Sequence, residues 1–212
     1  MTGRRSAKRI VNDGETRVLF FFYGSIHTYL SVMRIDSLAA TAGVEIVWRP
    51  FNLREILIEQ NNTSFVKNQV RLTYNWRDIE RRAAWLGVPF AGRPPYPVDP
   101  GLLALRVGVV ATTENWCPEY TRAAFRAWFL EKKASGTPVH VEAILSALGN
   151  SARDVIAKAQ APATDQQLKA STEEGRRLGI FGSPTFAVGQ EIFWGDDRLE
   201  EAIDYAASSS GK

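Results

Sequence analysis

The chain has almost no cysteine. Cys117 is the one thiol in 212 residues, so no disulfide can close within it and no thiolate cluster can bind a metal. A chain with no disulfide framework fits a reducing compartment. Histidine is nearly as scarce, with His27 and His140 the two in the chain. A Ser-His-Asp hydrolase needs a base beside its serine, and the Gly-x-Ser-x-Gly elbow that would present such a serine is absent. Long apolar runs are missing too: none approaches the ~20 residues that cross a bilayer as a helix. A secretory leader fails for a different reason. Asn12-Asp13-Gly14-Glu15 separates the basic start from the apolar Val18–Tyr23, and Arg34 and Asp36 interrupt the segment after that run. The expected setting is cytoplasmic, with no membrane partner.

An excess of basic charge is confined to one place. Net charge is +3, yet Arg4, Arg5, Lys8 and Arg9 supply four positive charges, which leaves the remainder at −1. Residues 1–16 read as a flexible basic tail, and the near-neutral charge balance outside those four residues argues against a nucleic-acid partner. Aromatic residues, by contrast, are plentiful. Six Trp and eleven Phe imply a large core or an aromatic-lined pocket.

The pattern along the chain begins with RVLFFFY (17–23), a short aromatic run bounded by glycines that reads as a buried strand. From His27 to Ala42 apolar residues recur at helical spacing, and Gly43 supplies a stop. VEIVWRP (44–50) alternates and ends at proline, as a second strand would. Residues 52–178 are helical in pattern apart from the proline-rich VPFAGRPPYPVDP (88–100). Ser151 and Thr164 are candidate N-caps there, and Gly136, Gly149 and Gly179 candidate stops. The end returns to β with PTFAV (184–188), a Gly189-Gln190 turn and EIFW (191–194), then a helix from Asp197 to about Ala206. The order βαβ, helical block, ββα predicts one sheet formed by residues 17–51 and 179–206, with residues 52–178 inserted as a helical lid.

Three stretches carry candidate chemistry. In GSPTF (182–186), Pro184 either opens its strand through a cis bond, which would turn the Ser183 backbone outward to pair with an extended guest, or is a trans proline ending the preceding helix. In FWGDDRL (193–199), Asp196 and Asp197 either cap the last helix or hold the amino-acid end of a zwitterionic ligand. In GSIHT (24–28), Ser25 either caps the helix behind it or lends its hydroxyl to an anion brought by a ligand. His27, two residues on, is poorly placed to activate Ser25 as a nucleophile. It reads as a pocket-rim residue or a titratable donor.

Taken together these stretches resemble the thioredoxin superfold with a helical insertion, the DsbA-like group, and within it the family of kappa-class glutathione transferases and 2-hydroxychromene-2-carboxylate isomerases. The resemblance spans residues 17–206. SIHTYL (25–30) matches the family's Ser-Pro-Tyr-Ser-Tyr-Leu turn, and GIFGSPTFAVGQEIFWGDDRL (179–199) follows its pattern nearly residue for residue. YNWRDIERRAAWLGVPF (74–90) resembles its Tyr/Asp/Arg helix and Gly-x-Pro-Phe turn.

Where disulfide oxidoreductases of this superfold carry Cys-x-x-Cys, this chain reads Ser25-Ile26-His27-Thr28. Hydroxyls replace both sulfurs, so dithiol exchange is excluded and the thiol must come from a ligand. The resemblance implies that this ligand is glutathione. Ser25 would then donate to its thiolate, the Ser183 backbone beside a cis Pro184 would pair with the cysteinyl unit, and Trp194, Gly195, Asp196 and Asp197 would hold the γ-glutamyl end. It further implies an isomerase acting on a small aromatic hydroxy-acid, with His27, Asn68, Gln69 and Arg71 towards the substrate, no metal, and a homodimer. A kappa-like transferase or peroxidase acting on electrophiles is the second expectation, and a non-catalytic peptide-binding scaffold the third. Ile26, His27 and Ile58 stand where the family usually has Pro, Tyr and Lys, so the thiolate site is better preserved than the aromatic-acid site.

Overall fold

A computed structural model describes residues 17–62 and 68–209. The basic tail expected over residues 1–16 lies outside them. Four strands form one mixed sheet in the order β2-β1-β3-β4, from Arg17–Phe21 (β1), Val47–Pro50 (β2), Thr185–Val188 (β3) and Glu191–Trp194 (β4). β1 runs parallel to β2, with Phe21 opposite Pro50, and antiparallel to β3, with Phe20 opposite Thr185. β3 and β4 make the expected hairpin about Gly189, whose φ of 62° is the left-handed conformation the turn requires. β1 is one of the two inner strands. From Val18 onward all its residues are buried, because helices cover both faces, and that is why it reads as a continuous apolar run rather than an alternation.

The helix expected from 27 to 42 is two helices, Ile26–Val32 (α1) and Ile35–Ala42 (α2). Arg34 breaks it. Its φ of −122° leaves the helical region, and its guanidinium donates to Leu30 O and to the Asp196 carbonyl, supplying partners the broken turn lost. Among the described residues, seven helices lie between β2 and β3: Leu53–Glu59 (α3), Gln69–Leu86 (α4), Leu103–Thr113 (α5), Cys117–Phe129 (α6), Pro138–Ala147 (α7), Ala152–Ala159 (α8) and Pro162–Arg177 (α9). After β4, a 3-10 turn at Asp196–Arg198 leads into Leu199–Ser209 (α10). The fold is therefore a DsbA-like thioredoxin fold with a helical insertion.

Ser151 caps α8, its hydroxyl accepting from Asp154 N. Thr164 caps nothing. Pro162 sets the first turn of α9 two residues earlier, and the Thr164 hydroxyl donates instead to Lys158 O at 2.7 Å. Nor does Gly136 end a helix: α6 has stopped at Phe129, and Gly136 lies so close to Asp99 that an added Cβ would come within 2.2 Å of its carboxylate. That carboxylate accepts from Ala104 N and Leu105 N and so caps α5, the service Leu102 cannot perform. An aromatic cluster fixes the insertion to the sheet. Tyr29 of α1 stacks on Phe129 of α6 at 4.0 Å, and Tyr23 stacks on Phe125 at 5.8 Å.

Candidate active site

The site forms where β1 ends and α1 begins. Ser25 has extended backbone (φ −92°, ψ 124°) and is the N-cap of α1, its Oγ accepting from Thr28 N at 3.4 Å. The same hydroxyl donates to the Ser183 carbonyl at 2.6 Å. The bond between Ser183 and Pro184 is cis, which settles the first of the open alternatives. The Ser183 side chain turns inward: its Oγ accepts from Phe22 N at 3.0 Å and shares a 2.9 Å hydrogen bond with the Thr28 hydroxyl. The two positions that carry sulfur in a dithiol enzyme thus differ in accessibility. Ser25 is half-buried at the mouth of the helix, whereas Thr28 is fully buried against Ser183.

On one side stands an exposed aromatic pair. Trp194 is 53% exposed and Phe181 40%, their rings 4.8 Å apart edge to face. The indole lies directly over Gly182, where an added Cβ would come within 2.0 Å of Nε1. The opening glycine of this motif is therefore a demand of close approach. Gly195 is a conformational demand, with φ of 113°, and its N–H donates to Pro184 O at 3.0 Å.

The two adjacent acids do different things. Asp196 is 2% exposed. Arg82 of α4 grips its Oδ2 through Nε at 2.9 Å and Nη2 at 2.6 Å, and His27 Nδ1 meets its Oδ1 at 3.2 Å. A carboxylate only accepts, so Nδ1 carries the proton. Burial alone would raise the Asp196 pKa, but the hydrogen bonds from His27 and Arg82 outweigh it and hold the carboxyl below its usual range. Asp197 is exposed, with Arg198 Nη2 3.7 Å away.

Ser25, His27, Ser183, Pro184, Trp194, Gly195, Asp196 and Asp197 are thus brought together. Asn68, Gln69 and Arg71 are not. Asn68 caps α4, its Oδ1 accepting from Arg71 N at 3.1 Å, and all three are exposed. Arg71 stands about 16 Å along the helix axis from Arg82, at a rise of 1.5 Å per residue.

Three contributors escaped the sequence reading. Arg82 is hidden among the arginines of a helix whose other charges face solvent. Tyr96 donates from its hydroxyl to Gly24 O at 2.8 Å, reaching the residue before Ser25 from within the proline-rich loop. Asn52, 5% exposed just past β2, keeps Oδ1 buried with no hydrogen-bond partner among the described residues. The only available signal was its place at the shared exit of two parallel strands. Two clefts, of about 480 and 250 Å³, lie against α9 and contain none of these residues.

The model of the DSBA-like thioredoxin domain matches residues 17–206. The chain belongs to that family. Two curated relatives are both called 2-hydroxychromene-2-carboxylate isomerase. The one from Sphingobium xenophagum is 24% identical over 201 residues, covering 90% of this chain and 98% of the relative. The one from Pseudomonas putida is 26% identical over 187 residues, covering 85% and 88%. A solved structure of 2-hydroxychromene-2-carboxylate isomerase superposes with a TM-score of 0.81 at 22% identity, covering 92% of this chain and 97% of that one. Among DsbA-like proteins the Ser25 turn sets this chain apart from dithiol exchange, because its one cysteine, Cys117, is buried elsewhere.

Proposed function

We propose that the chain is a glutathione-dependent isomerase of the 2-hydroxychromene-2-carboxylate type. The observation that carries the reading is the 2.6 Å hydrogen bond from the Ser25 hydroxyl to the Ser183 carbonyl. It joins a donor fit for a thiolate to an acceptor fit for a peptide N–H, at the position a dithiol would occupy. A cysteinyl peptide could replace this bond by two: its N–H to the Ser183 carbonyl and the freed Ser25 hydroxyl to its sulfur. α1 is only seven residues long, so the hydroxyl, rather than a helix dipole, is the main stabiliser of the anion. Trp194 offers an exposed aromatic wall to the peptide. Asp197 is the carboxylate open to its terminal amine, since Asp196 is engaged by Arg82 and His27.

When bound, glutathione would supply a thiolate that adds reversibly to a conjugated carbon of the substrate, permits bond rotation and leaves again unchanged. The chain's residues would hold and steer that chemistry. Ser25 lowers the cost of the anion. Asp196 fixes the His27 ring by its Nδ1–H and leaves Nε2 as the nitrogen that can exchange a proton with a substrate oxygen. Tyr96 anchors the Gly24 carbonyl and so the turn that presents Ser25.

One observation favours the transferase reading as a second choice. Asn68, Gln69 and Arg71, expected to receive an aromatic acid, lie at the far end of α4 from Arg82, and Asn68 is engaged as a cap. The test is titration of reduced glutathione into the protein, followed by heat and by thiolate absorbance. Binding with a thiolate signature is expected, and Ser25→Ala should erase the signature and slow turnover about 100-fold or more. Absence of both heat and thiolate at millimolar glutathione would sink the reading. Isomerisation of a chromene carboxylate should leave the free thiol count unchanged, whereas stoichiometric thiol loss selects the transferase.

A further inference from the structure

All four strands bring residues of the site to one end of the sheet. Phe22 follows β1, Asn52 follows β2, Ser183 stands just before β3 and Trp194 ends β4. β4 and β2 are the two edges. The cleft therefore runs from Asp197 at one edge, past Ser25, to the start of α3 at the other. There Arg54 stands half-buried in the first turn of α3.

Arg54 reaches the Ser25 turn in two ways. Its Cζ is 5.1 Å from the centre of the Phe22 ring. That ring lies against Gly24, where an added Cβ would come within 2.5 Å of Phe22 Cε1. Arg54 is thus one ring's breadth from the residue before Ser25. The second link is Tyr96, whose hydroxyl donates to Gly24 O at 2.8 Å. Burial raises the pKa of that hydroxyl, and the charge of Arg54 pulls it back.

The neighbours of Arg54 hold it without cancelling its charge. Nη1 donates to Pro100 O at 3.2 Å and Nη2 to Asp99 O at 2.7 Å, both neutral carbonyls. Arg34 and Arg82, which also reach the cleft, are each spent on a carboxylate, Glu200 and Asp196. Arg54 forms no ion pair among the described residues. The Asp99 carboxylate is near enough to feel its charge but accepts instead from Ala104 N and Leu105 N. The two carbonyls use two of the five N–H donors of the guanidinium, so donors remain for a carboxylate. Partial burial makes such a contact stronger than a surface ion pair.

We infer that Arg54 is the carboxylate anchor of the Ser25 cleft. It takes the acid group of a small molecule lying between the β2 edge and Ser25, a role that Arg71, at the far end of α4, does not fill. Two molecules bring such a group: the aromatic acid, and glutathione through its glycyl end. An extended peptide with its γ-glutamyl end at Asp197 would point that glycyl end towards the β2 edge. The assignment rests on the reading of Ser25 as donor to a thiolate and adds a charge requirement to it.

Calorimetric titration of the full chain tests it with two acids, each paired with a neutral form: salicylate with salicylamide, and reduced glutathione with its glycyl ethyl ester. Arg54→Gln should weaken one of the acids at least about tenfold, the loss of a charge-assisted contact. It should bind the matching neutral form as wild type does. Loss confined to salicylate assigns the anchor to the aromatic acid. Loss confined to glutathione, matched in wild type by the ester, assigns it to the glycyl end. Circular dichroism checks the fold. If Arg54→Gln misfolds because Asp99 and Pro100 lose their donor, Arg54→Lys decides: it keeps the charge but not the planar fork and should weaken the same acid several-fold. Unchanged affinity for both acids overturns the inference, and so does an equal loss for acids and neutral forms, which a structural role alone would give. Glutathione binding indifferent to Arg54, with salicylate equally indifferent, sinks the anchor and spares the Ser25 reading. Salicylate binding that needs Arg54, in a chain that binds no glutathione, does the reverse. A wild type that binds neither acid overturns both.

Discussion

At the mouth of α1, Ser25, Thr28 and Ser183 hold one another through hydrogen bonds of 2.6 and 2.9 Å. Behind it, Tyr29, Phe125, Trp128 and Phe129 hold one another almost entirely through ring contacts, with centroids 4.0–6.5 Å apart. The two regions share α1, which contributes Thr28 to one and Tyr29 to the other. The energetics differ in kind. A hydrogen bond contributes about 1 kcal/mol net and depends on direction, whereas a buried aromatic ring contributes several kcal/mol with little directional demand. The site can therefore be altered with the fold intact, and the cluster cannot.

Phe129→Ala should show the largest effect. The ring is fully buried and lies between Tyr29, Phe90, Phe125 and Trp128. Truncating it should cost about 3–5 kcal/mol in a urea melt, the usual range for a buried Phe with little room to collapse. The Tyr29 hydroxyl should respond as well. It donates to Pro89 O, and burial raises its pKa to about 12, so opening a cavity beside it should bring its titration back towards the ordinary tyrosine range. If the variant melted like wild type, the division between cluster and site would be lost.

Arg82→Met tests the seam between the two regions, because α4 belongs to the insertion and Asp196 lies just beyond the sheet. Removing the guanidinium leaves a buried carboxylate with only His27, at a cost of about 2–3 kcal/mol near neutral pH. The lowered pKa of Asp196 sets the sign with pH. The stabilisation is fully present above the ordinary carboxylate pKa and is lost as pH falls through the lower folded value. The wild type should therefore lose stability on acidification where Arg82→Met loses less, so the two melting curves converge in acid. Parallel curves would mean that Arg82 acts by packing alone.

Much of this organisation was legible in the sequence for one physical reason: short-range chemistry announces itself locally. Gly43, Gly87, Gly149 and Gly179 all take positive φ. The β3–β4 hairpin was readable from its glycine, and the Ser183–Pro184 turn from the motif around it. What escaped depended on partners distant in the chain. Arg34 breaks the first long helix because Asp196 and Glu200 are there to receive its guanidinium. Asp99 caps α5 from the end of a proline-rich loop. Asp196 looked like its neighbour Asp197, and only the arrival of Arg82 from α4 makes one a buried anchor and the other an open carboxylate. Residues 68–71 were assigned to the substrate by resemblance, whereas the length of α4 carries them away from Ser25.

Cys117 is where the comparison predicts least. Its thiol is 2% exposed at the start of α6, its Sγ 3.6 Å from the Thr121 hydroxyl, and burial pushes its pKa up to about 11. A thiolate is the reactive form, so the folded chain should resist a thiol-modifying reagent and react only at the rate at which it unfolds. Cys117→Ala should cost about 1 kcal/mol, the loss of one small buried group, and should leave glutathione binding untouched. A raised folded pKa also fixes the sign in base. The unfolded thiol ionises near pH 8.5 to 9 and the folded one near 11, so this contribution is complete below about pH 8.5 and fades as pH climbs towards 11. Cys117→Ala should lack that share of the alkaline decline. Rapid labelling of Cys117 in the native chain would instead mean that the aromatic region opens as readily as the site, and that the contrast between the two is one of composition rather than of rigidity.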